Sequence, residues 1–152
     1  MKTKANGKSQ PKQHDKGIIH VRLYLTMIET PAWRSLDGNA RALYVEIAAR
    51  YRGPGSNNGK ISYSLREAAK ALNVGTCTAL RNFRQLQERG FIVEAVKGSY
   101  GGKRRASLWR LTEFDCDVTG ELATSDFVHW NQNSQGSPQH LTGSPQHRDK
   151  VH

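Results

Sequence analysis

The sequence predicts a small α+β domain in which a pair of helices is followed by a β-hairpin. Two short amphipathic patterns flank the break Asn73-Val74-Gly75, as two helices joined by a tight turn would. Gly90 ends the second pattern, where helix C-termini favour a glycine. Two strand-like runs then surround a loop rich in glycine and basic residues, which is typical of a hairpin.

The chain before this pair of helices is expected to form a short strand and further helices. Residues 18–21 have the apolar character of a strand, and residues 23–28 fit either its continuation or a short helix. Thr30 followed by Pro31 is typical of a helix start. Asp37 is expected to cap a longer helix, because apolar side chains then recur at spacings of three and four, at Ala40, Leu43, Tyr44, Ile47, Ala48 and Tyr51.

The first helix of the pair is predicted from its capping residues. Residues 60–63 alternate between polar and apolar side chains, as a short strand does. Ser64 and Glu67 then have the spacing of a capping box, which predicts a helix start. In the turn after this helix, Asn73 tolerates a left-handed backbone and Gly75 is expected to allow the tight corner.

The second helix of the pair is predicted over residues 76–89. Its buried face is expected to hold Ala79, Phe83 and Leu86. At about 100° per residue, the opposite face holds Cys77, Arg81, Arg84 and Glu88, with Thr78 and Gln85 beside it. The strands of the hairpin are predicted at residues 91–96 and 107–111.

Composition divides the chain into three regions. Residues 1–17 are predicted to be a disordered basic arm, and residues 18–116 the folded domain. Residues 117–152 are predicted to be a low-complexity tail, in which the pentapeptide GSPQH occurs twice. Within this tail, the short segment 124–130 contains Phe127 and Trp130. These two aromatic residues fit either a strap packed on the domain or a contact with a protein partner.

The charge of the chain favours a polyanionic partner. There are 23 Lys and Arg residues against 13 Asp and Glu, which gives a net charge of +10. Residues 1–36 carry seven basic residues against two acids, and residues 37–116 carry fourteen against seven, whereas residues 117–152 carry two against four. The positive excess therefore lies on the arm and the predicted domain, which is typical of proteins that bind nucleic acid.

Several other classes of protein find no support in the sequence. No apolar run approaches the ~20 residues of a membrane helix, and the N-terminus lacks the apolar stretch of a secretory signal. Cys77 and Cys116 are too few for a disulfide framework and are expected to be reduced thiols. Histidines and cysteines do not have zinc-site spacing, and neither a phosphate-binding loop nor a catalytic set is evident. We expect no metal, no cofactor and no enzymatic activity.

Candidate DNA contacts lie on the second helix of the pair and in the hairpin loop. An α-helix fits the major groove, where arginines bind guanine edges or phosphates. The candidates on the helix are Thr76, Cys77, Thr78, Arg81, Arg84 and Gln85. Glycines let a loop approach DNA closely, and cations neutralise its phosphates. The candidates in the loop are Tyr100, Lys103, Arg104 and Arg105.

Residues Leu36 to Thr112 resemble the bacterial winged helix-turn-helix proteins, especially those of phage and plasmid replication proteins and related regulators of mobile elements. The resemblance lies in the segments LDGNARALYVEIAARY, NNGKISYSLREAAKALNV and TALRNFRQLQERGFI. It implies a winged-helix fold of the α+β class, with about three principal helices, a small antiparallel sheet and disordered termini.

The resemblance and the charge together predict sequence-dependent binding of double-stranded DNA in the bacterial cytoplasm, at the nucleoid. The expected role is that of a transcriptional regulator or a control protein of a mobile element. A winged-helix protein-interaction module and a replication-initiation accessory protein are the alternatives. Residues 18–36 are the segment available for a homodimer contact.

Overall fold

A computed structural model of the chain describes residues 20–99 and 105–135. Outside the described residues lie the predicted basic arm, both GSPQH copies and three of the hairpin candidates, Tyr100, Lys103 and Arg104.

The described part of the chain has an α+β fold with five helices and one small sheet. The helices are α1 (Leu25–Ile28), α2 (Pro31–Ser35), α3 (Gly38–Ala48), α4 (Leu65–Ala71) and α5 (Thr76–Glu88). The strands are β1 (Ile61–Ser62), β2 (Ile92–Val96) and β3 (Leu108–Leu111). Two single turns of 3₁₀ helix follow, at Asp126–Val128 and Gln132–Gln135.

The three strands form an antiparallel sheet with the order β1-β3-β2. Ile61 of β1 lies opposite Trp109 of β3, and Ile92 of β2 lies opposite Leu111 on the other side of β3. The register of the β2–β3 pair shifts between Glu94 and Val96, where β2 contains a bulge. β3 is therefore the central strand, and it joins the hairpin to the short strand that precedes α4.

Three helix starts have the side-chain caps that the sequence predicts. The side chains of Thr30 and Asp37 each accept a hydrogen bond from the backbone N–H three residues later, at 3.2 and 2.8 Å. Ser64 and Glu67 form a reciprocal capping box, in which the Ser64 N–H donates to the Glu67 carboxylate at 2.8 Å. These bonds satisfy backbone donors that have no partner inside the helix, which stabilises each start by about 1 kcal/mol.

Aromatic side chains form the centre of the core. Trp33, Tyr44 and Phe91 meet edge to face, with ring centroids 5.6 to 5.7 Å apart. Phe83 of α5 stacks on Trp109 of β3 at 4.7 Å. Aromatic pairs of this kind contribute about 0.5–1.5 kcal/mol each beyond the burial of apolar area. They join the long helices to the sheet.

The N-terminal segment differs from its prediction. The sequence predicts a strand at residues 18–21, of which the structure describes His20 and Val21. These two residues form no strand, and the chain from His20 to Tyr24 has no regular structure. For residues 23–28 the sequence allows either a strand or a short helix, and the structure has the short helix α1 there. No strand in the described residues pairs with this segment, and an unpaired strand leaves its backbone hydrogen bonds unmade.

The turn between α4 and α5 also differs in one detail. Asn73 has the left-handed backbone, with a φ of 52°. The sequence predicts that Gly75 supplies the tight corner, but Gly75 is the extended N-cap residue of α5, with a φ of −68°. A Cβ atom at this position would meet nothing within 4 Å. Asn73 alone therefore supplies the left-handed conformation, which asparagine adopts more readily than most residues.

The chain beyond residue 116, the predicted end of the domain, continues to pack against it. Asp117 accepts a hydrogen bond from the backbone N–H of Asn58 at 2.7 Å. Glu121 forms a salt bridge with Arg110 of β3 at 2.5 Å. Asp117 and Glu121 therefore hold this segment against the loop before β1 and against β3.

Phe127 packs into the core as a strap. Its side chain is 5% exposed and stacks on Phe91, with the ring centroids 4.9 Å apart. Gly90, with a φ of 76°, makes this contact possible, because a Cβ atom there would lie 2.6 Å from the Cβ of Asp126. Trp130 is half-buried beside it. Phe127 is therefore part of the core, and Trp130 packs against it.

Two buried asparagines have opposite hydrogen-bonding states, although both are 0% exposed. The two N–H groups of the Asn58 amide are shared among three backbone carbonyls at 2.9 to 3.0 Å from Nδ2, and its oxygen accepts from the N–H of Leu111 at 2.7 Å. Neither amide atom of Asn82, on α5, has a partner among the described residues. An unpaired buried amide is destabilising, whereas a paired one is costly to remove.

Leucine matches asparagine in its number of side-chain heavy atoms, so we predict opposite effects of Asn58→Leu and Asn82→Leu. Asn58→Leu should lower the free energy of unfolding by about 3 kcal/mol or more, because it leaves several buried backbone groups unpaired. Asn82→Leu should raise the free energy of unfolding by about 1 kcal/mol. Urea denaturation measures both. Equal losses of stability in the two variants would contradict this account.

We predict that Phe127→Ala lowers the free energy of unfolding by about 3–5 kcal/mol, as expected for a core phenylalanine. Val128→Ala is the matched control, because Val128 is 53% exposed and its change should stay within about 0.5 kcal/mol. Thermal or urea unfolding of the full chain provides the measurement. A neutral Phe127→Ala variant would show that the strap does not belong to the core.

Candidate nucleic-acid interface

The candidate residues on α5 divide according to their exposure. The predicted buried face is confirmed, and Asn82 joins it. Four candidates are exposed on the side away from the core: Thr76, Cys77, Arg81 and Arg84. The other two candidates are half-buried at the edge of this face: Thr78 and Gln85.

Arg81 and Arg84 are the two cations of the exposed face. They lie three residues apart, so that their side chains are neighbours on the helix surface. No carboxylate of the described residues forms a salt bridge with either of them. Glu88, the acid on this side of the helix, pairs with Arg89 at 3.7 Å. The two guanidinium groups are therefore open to an anionic or hydrogen-bonding partner.

Gln85 has a structural role that its position on the helix did not reveal. Its Nε2 donates to the Asp37 carboxylate at 2.8 Å, and its Oε1 accepts from the Asp37 backbone N–H at 3.3 Å. Asp37 also caps α3. The amide of Gln85 thus joins α5 to the start of α3 and is held against Asp37.

The C-terminal end of α5 is held by Arg89. The Nε of Arg89 donates to the Ser35 hydroxyl at 2.7 Å. The guanidinium group also lies over the ring of Trp130, 5.3 Å from its centroid. These contacts attach the end of α5 to α2 and to the strap, so that the exposed face keeps one orientation.

The hairpin is paired well beyond its two strands. The Ser99 N–H donates to the Arg105 carbonyl at 3.1 Å, and the Arg105 N–H donates back to the Ser99 carbonyl at 3.3 Å. At its base, the Ser107 hydroxyl donates to Glu94 at 2.6 Å and accepts from the Gly98 N–H at 3.1 Å. Arg105 is exposed at the end of these paired arms. The other hairpin candidates belong to the loop outside the described residues.

A cleft of about 530 Å³ lies between the start of α4, one side of α5 and the base of the hairpin. Arg105 lines it, together with two exposed cations that the sequence analysis missed, Arg66 and Lys97. Arg66 lies two residues after Ser64, the N-cap of α4, and Lys97 directly precedes Gly98 of the hairpin. Both positions can be read from the sequence. Their convergence depends on how the hairpin packs beside α4, which local patterns do not contain.

The described residues contain no group of three His, Cys, Asp or Glu side chains that could hold a metal ion. No helix in the described ranges is long and apolar enough to cross a bilayer. Cys77 and Cys116 are both free thiols, the first exposed and the second buried.

Comparisons with known proteins do not assign a family: a scan against family models, a search of curated proteins and a search of solved structures each find no match. The features of the described residues that indicate a function are the exposed arginines of α5 and the cations around the hairpin.

We predict that Gln85→Ala lowers the free energy of unfolding by about 1–2 kcal/mol, because it leaves the Asp37 N–H and carboxylate without these partners. Gln87→Ala is the matched control, since Gln87 is an exposed glutamine on the same helix and should change stability by no more than about 0.5 kcal/mol. Urea denaturation compares them. Equal stabilities of the two variants would argue against the structural role of Gln85.

Proposed function

We propose that this chain is a winged-helix protein that binds double-stranded DNA in a sequence-dependent manner and without catalysis. In this proposal α5 enters the major groove and the hairpin is the wing. The observation that carries it is the pair of exposed arginines without salt bridges, Arg81 and Arg84, on a helix whose opposite face is packed in the core.

The order of the elements supports this interpretation. A helix, a short strand, two helices and a hairpin follow one another as α3, β1, α4, α5, β2 and β3. The first strand pairs with the last, which places the hairpin beside the helix pair. In helix-turn-helix proteins the second helix of the pair enters the major groove, and its N-terminal residues reach the base edges. α5 occupies that position here.

The chemistry of α5 suits base recognition. An arginine can form two parallel hydrogen bonds with the O6 and N7 atoms of guanine, which is worth about 1–3 kcal/mol of discrimination against another base. Arg81 and Arg84 lie in the middle of α5, and Thr76 offers a hydroxyl in its first turn. Cys77 can add only apolar or weak polar contacts.

The hairpin suits contact with the phosphate backbone. Arg105 ends its paired arms, and Lys103 and Arg104 precede it in the sequence. Cations on a loop neutralise phosphates and release counterions, which raises affinity for any sequence and makes it depend on salt. The proposed division is base recognition by α5 and sequence-independent attraction by the hairpin.

The proposed role is that of a transcriptional regulator or a control protein of a bacterial mobile element, acting at the nucleoid. Phe127 and Trp130 motivated the alternative of a protein-interaction module, and the burial of Phe127 in the core weakens its support. A replication accessory role uses the same DNA contacts and differs in the sequence bound. Homodimerisation through residues 18–36 stays a prediction, and Tyr24 and Leu25 are exposed there.

We predict different effects of variants in the two proposed contact regions. Arg81→Ala should reduce the preference for a selected duplex over a random one by about tenfold, because a base contact is lost. Joint replacement of Lys103, Arg104 and Arg105 by Ala should weaken binding to both duplexes alike. It should also lower the dependence of log affinity on log salt concentration by up to about 3.

The measurement starts from a duplex selected out of a randomised pool by the full chain, followed by fluorescence anisotropy titrations at several salt concentrations. Arg52→Ala is the control, since Arg52 is exposed in the loop that Asn58 joins to the opposite end of β3. This control should retain the affinity and the preference. Unchanged binding in both test variants would overturn the proposed interface.

A further inference from the structure

The cleft between α4, α5 and the hairpin has an apolar floor. Phe83 and Trp109 line it as a nearly parallel stack, with 15° between their ring planes. Leu65 and Leu80 add apolar walls. Leu80 is 40% exposed in the middle of α5, on the side that faces the hairpin. This apolar surface has no evident use in contacting DNA phosphates.

Cations surround this floor. The three exposed cations that line the cleft form no salt bridge with any described carboxylate: Arg66, Lys97 and Arg105. The two acids that line it already accept internal hydrogen bonds. Glu67 accepts from the Ser64 hydroxyl at 2.7 Å, which holds the pKa of its carboxyl below the ordinary value, and Glu94 accepts from the Ser107 hydroxyl at 2.6 Å. The cleft therefore carries three cations against two carboxylates, and one of these carboxylates, Glu67, also pairs with Arg50 at 3.9 Å.

The apolar floor and the surrounding cations together favour one kind of ligand. A phosphate of the DNA backbone gains nothing from an apolar floor, because its oxygens need hydrogen-bond donors. A ligand with a flat apolar body and an acidic head matches both features. The body packs against Leu65, Leu80 and the edges of the Phe83–Trp109 stack, whose rings are 3% and 4% exposed, and the head pairs with the cations. A volume of about 530 Å³ lies within the usual range of small-molecule sites.

We propose that this cleft binds a small aromatic carboxylic acid, and that binding of this acid lowers the affinity of the protein for DNA. The ligand occupies the space between α5 and the hairpin and neutralises Arg105. The second half of the inference rests on the proposed DNA binding, whereas the first half does not. The protein is then a regulator whose affinity for DNA responds to an organic acid.

The test uses 2-naphthoate as the probe and the ¹⁵N-labelled full chain. Amide shifts on titration should concentrate at α4, at the middle of α5 and at the base of the hairpin. Leu80→Glu should weaken naphthoate binding by about tenfold or more, because it places a carboxylate in the cleft. Leu122→Glu, at a leucine that is 75% exposed after β3 and outside the cleft, should leave binding unchanged.

Two further comparisons separate charge from shape. Lys97→Glu should also weaken naphthoate binding, and it tests the cationic rim even if Leu80→Glu does not fold. The neutral analogue 2-naphthalenemethanol should bind about tenfold more weakly than naphthoate to the unaltered chain. Equal binding of the neutral analogue, equal binding to the Leu80→Glu and Leu122→Glu chains, or shifts away from the cleft would each overturn the site.

A DNA titration with and without 2-naphthoate tests regulation separately. Naphthoate should raise the apparent dissociation constant for DNA several-fold in the unaltered chain and in Leu122→Glu, but not in Leu80→Glu. Naphthoate binding without any effect on DNA binding overturns the regulatory half. A chain that binds naphthoate but no DNA contradicts the proposed function and supports the site, whereas DNA binding without naphthoate binding refutes the site alone.

Discussion

The buried amide of Asn58 is the interaction on which the arrangement of the sheet depends. Its side chain joins the loop after α3 to the N–H and the carbonyl of Leu111, at the end of β3. The next residue, Gly59, donates its N–H to the carbonyl of Trp109 at 3.2 Å. β1 itself has only two residues, and so short a strand cannot hold its own register. The hydrogen bonds of Asn58 extend the pairing of β1 with β3 beyond the two residues of β1, and they set the register of these strands.

The register of the sheet in turn positions α5 relative to the hairpin, because Trp109 of β3 stacks on Phe83 of α5. Gln85 attaches α5 to the start of α3, and Arg89 attaches its end to α2 and to the strap. The helix is thus held by the sheet, by the preceding helices and by the C-terminal segment. The face with Arg81 and the neighbouring exposed residues is the side of α5 that these contacts leave open.

Sequence reasoning succeeded where a structure depends on residues close in the chain. The capping box of Ser64 and Glu67 and the helical spacing of apolar residues required only local information, and both were confirmed. Gln85 was assigned to the outward face by its angular position, because its partner Asp37 lies 48 residues away. The hydrogen bonds of Asn58 and the stacking of Phe127 are likewise long-range, so they depend on the tertiary packing and have no local signal.

In the proposed DNA complex, ordering the arginines of α5 and ordering the cations of the hairpin loop cost different amounts of conformational entropy. Arg81 and Arg84 project from a helix that is already immobilised, so that only their side-chain rotamers become ordered on binding. The hairpin loop is anchored by the backbone pair of Ser99 and Arg105, and its cations act mainly through long-range attraction. An acid bound in the cleft would neutralise Arg105 of the second group and leave the base contacts of α5 intact. It should therefore weaken binding to every duplex by a similar factor and preserve the order of preference among sequences.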